Sequence, residues 1–267
     1  MRPSPPKPTP PGSHPKPSTP PPTLSGTEPK AKAAWDISTQ ALARNTLVAG
    51  SQRLGLALSD MQIDALMAYL GLLHKWSKVY NLTAVRDPLE MVTLHLLDSL
   101  AVVPALLRHL DTPANRPAQP MRLLDVGSGA GLPGVVIAIA CPHIQVTCLD
   151  AVAKKAAFVQ QVAASLRLSN LRGVHARVES LTGPYDVICS RAFASLPDFV
   201  SWSAAALSDG GVWMAMKGKL PEAEMAGLPS FAQVFHVEQL QVPGLEADRC
   251  MVWMKKSVTL STEASST

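Results

Sequence analysis

Apolar residues in the first half of the chain recur at the spacing of amphipathic helices. The strongest run follows Ser59, whose hydroxyl can cap a helix while Gln62, three residues on, completes a capping box. The apolar positions of this run, at intervals of four, three and three residues, are Leu66, Leu70, Leu73 and Trp76. A weaker helix is predicted over 37–54 and a further one over 87–107. These segments predict a helical N-terminal region over residues 34–110.

From residue 118 to residue 256, short apolar runs alternate with segments of helix length. The predicted strands are 121–126, 145–150, 172–176, 185–190, 211–217, 231–240 and 249–256. The predicted helices are 133–141, 153–168, 197–207 and 220–226. Strands that alternate with helices indicate a parallel sheet with crossover helices. We therefore expect an α/β, Rossmann-like domain with a mostly parallel, seven-stranded sheet over 118–256.

Both ends of the chain have the composition of flexible tails. Residues 1–33 contain 12 of the 24 prolines, interleaved with Ser, Thr, Lys and Gly, so neither helix nor sheet is expected there. Residues 257–267 are rich in Ser and Thr, and the three prolines of 111–120 indicate a linker. We expect both tails to be disordered, although a proline-rich stretch can also dock in an aromatic groove of a partner.

The charge balance gives little support for general nucleic-acid binding. The chain has 24 basic and 20 acidic side chains, but five of the basic ones and one acidic one lie before residue 34. The remainder is neutral, so a prediction of RNA binding must rest on local clusters.

The four cysteines predict buried thiols. Cys141, Cys148, Cys189 and Cys250 form no C-x-x-C pair and lie in apolar segments, which disfavours disulfides and a metal site. The first residues lack the apolar core of a signal peptide, and no stretch approaches the ~18 uninterrupted apolar residues of a membrane span. We expect a soluble cytoplasmic protein without a bound metal.

The segment 122–131 carries the clearest functional signal. It has the pattern of a strand that contains Asp125 near its end and leads directly into Gly127, Gly129 and Gly131. Glycines allow the backbone to approach a ligand closely and to adopt dihedral angles closed to other residues. We therefore predict a ligand-binding loop here in preference to a plain strand-to-helix turn.

Two ligands fit this loop, a dinucleotide and S-adenosylmethionine. Gly129, Gly131 and Gly134 satisfy the dinucleotide pattern G-x-G-x-x-G, which is a weak match when it stands alone. Asp125 favours S-adenosylmethionine, because its carboxylate would repel a pyrophosphate and attract a cationic amino acid and sulfonium. Asp150, 19 residues after Gly131, has the spacing of the acidic residue that binds a ribose in either cofactor, or it could cap the following helix.

The ends of the third and fourth strands add further candidates. Val178 and Glu179 follow the third strand, where a backbone contact to adenine and an acidic partner would fall. Arg191 and Phe193 end the fourth strand at the mouth of the crevice, where they could bind a phosphate and stack on a base. The competing interpretations are a solvated surface charge for Glu179 and a buried salt bridge beside a core phenylalanine for Arg191.

The sequence after the fourth strand narrows the chemistry. Enzymes that methylate exocyclic amines usually place an Asn/Asp-Pro-Pro-aromatic run there, and this chain has none. A ring nitrogen with an in-plane lone pair, such as guanine N7, needs no proton removed before it attacks a methyl group. Catalysis can then be mostly alignment of the reactants, without a general base.

Together these motifs resemble the RsmG family, also called glucose-inhibited division protein B, the bacterial 16S rRNA guanine-N7 methyltransferases. The resemblance runs from about Ser59 to Lys255. Its most specific segments are HKWSKVYNLT at 74–83, RDP at 86–88, HLLDS at 95–99, GAGLPG at 129–134, RVE at 177–179 and SRAFASL at 190–196. It implies a class I methyltransferase fold with S-adenosylmethionine as cofactor. The implied target is guanine 527, in the decoding-region loop of 16S rRNA in the small ribosomal subunit.

The resemblance also implies roles for individual residues. Cofactor contacts are implied at Gly127, Leu132, Val178, Glu179 and Arg191. A lid and RNA platform over the crevice is implied at Asn81, Arg86 and His95, although His95 on an apolar helix face is more often a core histidine. Apart from the resemblance, our hypothesis is that Arg191, Lys217 and Arg249 position RNA, and a solvated strand end is the competing interpretation of Lys217. We expect a monomer that binds neither membrane nor metal.

Two departures from the family pattern concern basic residues. The family usually has Arg-His where this chain has Leu94-His95, and Glu-Arg-His where this chain has Asp248-Arg249-Cys250. These losses remove basic side chains that could contact phosphates, whereas the glycine-rich loop is unchanged.

Three rival functions stay open at this stage. The G-x-G-x-x-G match permits an NAD-dependent dehydrogenase, although the sequence offers no convincing acid or base for hydride chemistry. The lack of an evident base permits a non-catalytic RNA-binding or assembly factor. Methylation of a small metabolite is opposed only mildly by the basic residues on several loops.

Overall fold

The computed structural model describes residues 35–111 and 120–257. The predicted N-terminal tail over 1–33, most of the predicted linker and nearly all of the predicted C-terminal tail lie outside the described residues. The described residues belong to one compact unit.

The N-terminal region is helical, as predicted. Its elements are α1 (Ile37–Arg53), α2 (Asp60–Tyr80), α3 (Pro88–Met91), a π-helical turn (Val92–Leu97), α4 (Asp98–Leu100) and α5 (Val103–Leu110). The capping box at Ser59 and Gln62 is confirmed, because each side chain bonds the backbone N–H of the other. The predicted helix over 87–107 is interrupted by a wider turn, which its sequence pattern does not indicate.

The helical run Pro88–Leu110 is both long and apolar. Within its 23 residues an 18-residue window has a mean hydropathy of 1.5, so by length and composition the run could span a membrane, contrary to the expectation from uninterrupted apolar runs. The two criteria, an uninterrupted apolar run and a mean hydropathy, differ because a mean tolerates the charged residues Glu90 and Asp98. In the structure 72% of the window is buried inside the protein, as in the core helix of a globular fold.

The remaining elements form a seven-stranded sheet with helices. The strands are β1 (Arg122–Val126), β2 (Gln145–Asp150), β3 (Leu171–His175), β4 (Tyr185–Arg191), β5 (Leu207–Lys217), β6 (Ala232–Gln239) and β7 (Cys250–Lys256). Their order is β3-β2-β1-β4-β5-β7-β6, in which β1 to β5 pair in parallel and β7 runs antiparallel to both neighbours. The predicted α/β class and mostly parallel sheet are thus confirmed.

The connecting helices are close to their predicted bounds, with two differences at C-terminal ends. They are α6 (Gly134–Ala140), α7 (Ala153–Ser165), α8 (Leu196–Ser203) and α9 (Glu222–Ala226). Helix α7 ends before Leu168 because Arg167 adopts a left-handed conformation, with φ of 53°. Helix α8 ends before Leu207 because that residue already pairs with Tyr185 as the first residue of β5.

One hydrophobic cluster joins the helical region to the sheet domain. It includes Leu66 and Leu70 of α2, Leu97 of the π-helical turn, and Val136 and Ile137 of α6. The predicted helical region is therefore packed directly against the sheet domain. The strand order reverses between β1 and β4, and the carboxyl ends of strands on either side of such a point form the usual ligand crevice.

Candidate active site

The loop after β1 is shaped by three glycines with left-handed backbones. The φ angles of Gly127, Gly129 and Gly131 are 65°, 59° and 87°. A Cβ atom on Gly127 would lie 2.2 Å from Cδ2 of Phe193, and one on Gly131 would lie 2.3 Å from Cγ2 of Val135. Only glycine satisfies both the conformation and the packing at these two positions.

Two cavities open at this loop. The larger, of about 560 Å³, is lined by residues of the loop, of the helical region and of the carboxyl ends of β4 and β5. The smaller, of about 250 Å³, is lined by Asp150, Val178, Glu179, Phe193 and Trp202 among others. Gly127 lines both cavities, so they lie next to each other at this residue. A ligand that crosses Gly127 could occupy both.

Asp150 bonds both the glycine loop and the residue that precedes α7. Its Oδ2 accepts a hydrogen bond from Gly129 N at 3.0 Å and its Oδ1 accepts one from Val152 N at 2.8 Å, at the start of α7. It also lines the smaller cavity. Each carboxylate oxygen can accept more than one hydrogen bond, so these contacts leave acceptor capacity for a ribose hydroxyl.

Asp125 lies beneath the glycine loop, in a place that differs from the sequence expectation. Its side chain is completely buried and lines neither cavity, and its Oδ2 accepts a 2.8 Å hydrogen bond from Gly134 N. Burial raises the pKa of this carboxyl to about 7, against the lowering effect of the Gly134 N–H. Asp125 therefore does not face a ligand directly, contrary to the expectation from the sequence. It instead stabilises the glycine loop and the start of α6.

A second support for the loop comes from the helical region. The hydroxyl of Tyr69, on α2, donates a 2.8 Å hydrogen bond to the carbonyl of Ala130, and both residues are buried. The apolar pattern of α2 accounts for the burial of Tyr69 and does not indicate this contact. The loop is thus held by the sheet domain on one side and by α2 on the other.

Two arginines on the wall of the larger cavity share one carboxylate. Nη1 of Arg191 donates to Oδ2 of Asp98 at 2.7 Å, and Nε of Arg249 donates to its Oδ1 at 2.8 Å. The Asp98 side chain is only 4% exposed, and Arg191 also donates to the carbonyl of Leu94 at 3.1 Å. Arg191 thus forms the salt bridge of the competing interpretation. Arg191 and Asp98 also line the larger cavity.

Lys217 stands on the same wall and is also paired. Its Nζ donates to Oε2 of Glu224 at 2.8 Å and to the carbonyl of Ala194 at 2.9 Å. The same Glu224 oxygen accepts a hydrogen bond from Leu196 N at 2.6 Å. These bonds connect β5, α9 and the loop that carries Phe193. The structure thus places Arg191, Lys217 and Arg249 on the wall of one cavity, and the hypothesis that they position RNA stays a prediction.

The predicted lid residues divide into two groups. His95 lines the larger cavity, is 7% exposed, and pairs through Nε2 with the hydroxyl of Thr83 at 2.8 Å. Burial lowers the pKa of His95 to about 4, so its ring is neutral at physiological pH. Asn81 and Arg86 do not line either cavity. They bond to each other at 2.6 Å at the C-terminal end of α2, where Asn81 is left-handed with φ of 51°.

Some residues of the site have no counterpart among the sequence predictions. These are Asp98, Tyr69, Thr83 and Glu224. A signal existed for Asp98, because a carboxylate within an apolar helical run must find a partner when it is buried. The four cysteines are buried free thiols, as predicted, and within 35–111 and 120–257 no cluster of three or more His, Cys, Asp or Glu could hold a metal.

Comparison with known proteins identifies relatives over most of the chain. A family model described as rRNA small subunit methyltransferase G matches residues 62–252. Ribosomal RNA small subunit methyltransferase G of Paracidovorax citrulli is 62% identical over 214 residues, which cover 78% of this chain and 88% of the relative. Its counterpart in Polaromonas sp. (strain JS666) is 64% identical over 209 residues, covering 78% and 92%. The structure of TrmN from Thermus thermophilus matches with a TM-score of 0.46 and 21% identity, covering 62% of this chain and 53% of that one.

Proposed function

Because the chain belongs to the family of rRNA small subunit methyltransferase G, we propose that it transfers a methyl group from S-adenosylmethionine to N7 of guanine 527 in 16S rRNA, forming 7-methylguanosine. The observation that supports this most directly is that the two cavities lie next to each other at Gly127. One cavity suits an adenosine and the other has room for the methionine part and a target base.

The residues present fit S-adenosylmethionine. The smaller cavity offers Asp150 and Glu179 to ribose hydroxyls, and buried Val178 to an adenine ring. Across Gly127, the larger cavity offers the backbone of Gly129 and the side chain of Leu132. A Cβ on Gly127 would clash with the ring of Phe193, which lines the smaller cavity. When bound there, S-adenosylmethionine supplies an electrophilic methyl group on a positively charged sulfur.

The side chains of the larger cavity favour alignment over proton transfer. His95 is neutral, buried and paired with Thr83, and Asp98 is engaged by two arginines. Guanine N7 carries an in-plane lone pair and no proton, so its methylation needs no base. A site that orients the base against the cofactor therefore suffices for this reaction.

The charges of the larger cavity suit a nucleic-acid substrate. Two guanidinium groups share the single carboxylate of Asp98, which leaves one positive charge on this wall unbalanced. Arginine is well suited to phosphate, which it binds with two parallel hydrogen bonds. We assign Arg191 and Arg249, with Lys217 beside them, to contacts with phosphates next to the target guanine. Asn81 and Arg86 are assigned to the rim of the RNA site.

The test is methyl transfer from labelled S-adenosylmethionine to small ribosomal subunits and to extracted 16S rRNA, with the modified nucleotide mapped. Label at N7 of guanine 527 is expected. Label on no RNA, or binding of a nicotinamide dinucleotide in place of S-adenosylmethionine in a calorimetric titration, would overturn the proposal. An RNA substrate also implies action in the cytoplasm, and light scattering would check the expected monomer.

A further inference from the structure

A third cavity, of about 650 Å³, lies along the outer side of α2 and shares no lining residue with the two cavities of the active site. We call it the α2 groove and define it by Trp35, Gly71, His74, Lys75, Lys78 and Leu166. It is larger than either active-site cavity, and nothing in the reaction proposed above uses it.

The floor of the α2 groove is an aromatic platform. The rings of Trp35 and His74 are stacked, with centroids 5.9 Å apart and planes inclined by 26°. The indole lies over Gly71, at ordinary van der Waals distance from the position of a Cβ there, which would be 3.5 Å from Nε1 of Trp35. Flat rings of this kind are the surfaces on which unpaired RNA bases stack.

The edge of the α2 groove is basic. Lys75 and Lys78 are exposed, and neither forms an ion pair within the described part of the chain. The one acidic residue of the lining, Asp36, is engaged as the cap of α1, where its Oδ1 accepts hydrogen bonds from Thr39 N and Ser38 Oγ at 2.8 Å each. Two lysines against one carboxylate leave the lining with a net positive charge beside stacked rings, which matches the phosphates and bases of a nucleic acid.

The charge of the groove selects its occupant. The chain's own N-terminal tail, which joins the described residues at Trp35, has five basic residues and one acidic residue, so Lys75 and Lys78 would repel it. An RNA strand has the opposite charge.

The α2 groove and the larger active-site cavity are lined by residues that lie close together in the sequence. Lys78 precedes Leu82 and Thr83, which line the larger active-site cavity, by only four and five residues. Between them Val79 and Tyr80 are exposed, by 71% and 42%. A strand leaving the active site would therefore pass an exposed ring and two lysines within about two turns of helix.

We propose that the α2 groove binds a segment of the rRNA substrate that lies outside the target nucleotide, with bases against Trp35 and phosphates against Lys75 and Lys78. This inference rests on the proposed function for the identity of the RNA. The groove contributes substrate affinity, and the active-site cavities contribute the chemistry.

The test compares two double charge reversals, K75E/K78E and the matched control R172E/K255E. Arg172 and Lys255 are exposed residues near the opposite ends of β3 and β7 from the cofactor loop, and the change in net charge is identical. Fluorescence anisotropy without cofactor measures binding to labelled 16S rRNA at several salt concentrations. Steady-state methylation of small subunits gives kcat and KM, and calorimetry gives the dissociation constant of S-adenosylmethionine.

For K75E/K78E we expect RNA binding to weaken by about tenfold. The negative slope of log K against log salt should become shallower by about 1.5. KM for the subunit should rise in proportion, while kcat and cofactor affinity stay unchanged. The control should keep wild-type values. Equal losses in both variants, or wild-type RNA affinity in K75E/K78E, would refute the groove as an RNA site. Binding that depends on the two lysines, without methylation by the wild type, would refute the proposed function and leave the groove standing.

Discussion

The glycine loop and the arginine wall face the same cavity, but they are positioned by different means. The loop is held through its backbone, by Asp125 and Asp150 from the sheet domain and by Tyr69 from α2. The wall is held through side-chain charges, with Arg191 and Arg249 joined at Asp98. Removal of a charge should therefore unsettle the wall, whereas the loop should be sensitive to the volume and conformation of single residues.

The largest effect is expected when the shared carboxylate of the wall is removed. Asp98→Ala leaves two partly buried guanidinium groups without a counter-charge and should lower the free energy of unfolding by about 3–5 kcal/mol. Asp64→Ala is the control, because Asp64 pairs with Arg44 at the surface with its side chain 67% exposed, and it should cost at most about 1 kcal/mol. Urea unfolding followed by circular dichroism measures both. Equal losses would show that the wall is not held by this carboxylate.

The addition of a single methyl group at Gly127 should disturb the glycine loop and weaken cofactor binding. Gly127→Ala places a Cβ against the ring of Phe193 where the cavities lie next to each other, and should weaken S-adenosylmethionine binding by about 100-fold, which is about 3 kcal/mol. Gly210→Ala has the same left-handed constraint, with φ of 78°, but no atom within 4 Å of the new Cβ. Backbone strain should cost both variants roughly 1 kcal/mol of stability, and the clash with Phe193 should add to the loss in Gly127→Ala. If isothermal titration shows that Gly127→Ala keeps wild-type affinity for S-adenosylmethionine, the role assigned to Gly127 between the two cavities is contradicted.

The support beneath the loop should make stability depend on pH. Burial raises the pKa of Asp125 to about 7, so between about pH 4 and 7 the folded state holds a proton that the unfolded state has released. The stability from this group is present below about pH 4 and is lost as the pH rises through 7, at up to about 1.4 kcal/mol per pH unit. Asp125→Asn keeps an acceptor for Gly134 N without titrating. Denaturant unfolding from pH 5 to 8 should show the variant gaining stability over the wild type, and parallel curves would contradict the assignment.

The smallest effect is expected at the outer edge of the wall. Glu224→Gln keeps acceptors for Lys217 and Leu196 N but removes the ion pair, in which the glutamate side chain is 34% exposed. Solvent screening limits the loss of stability to about 1 kcal/mol or less. Cofactor affinity by calorimetry should be unchanged. A large drop in that affinity would mean that loop and wall are coupled more tightly than their separate contacts indicate.

Much of the fold was predictable because its signals are local. The alternation of apolar runs and helix-length segments gives the seven strands close to their observed bounds, and the capping box marks the start of α2. The signal for the glycine loop is likewise local, because it lies in the consecutive residues from Asp125 to Gly134. The π-helical turn was missed because no residue pattern distinguishes it from the α-helix around it.

The arginine wall was only partly predictable because its partners are distant in sequence. Asp98 is 93 residues from Arg191 and 151 residues from Arg249, so no spacing rule connects them. Asp125 shows the opposite difficulty, since its motif indicated importance but not the direction of its side chain. Spacing fixed its place near the loop, and only the packing shows that it faces Gly134 from below.

The hydrogen bond from Tyr69 to Ala130 bears on how this enzyme can be divided or recombined. A truncated chain that kept only the sheet domain would lose the hydroxyl that restrains the loop and would expose the apolar surface on which α2 rests. The two halves are therefore not interchangeable modules. If other helices were grafted onto this sheet, they would have to supply a hydrogen-bond donor in the place of the Tyr69 hydroxyl to restrain the glycine loop.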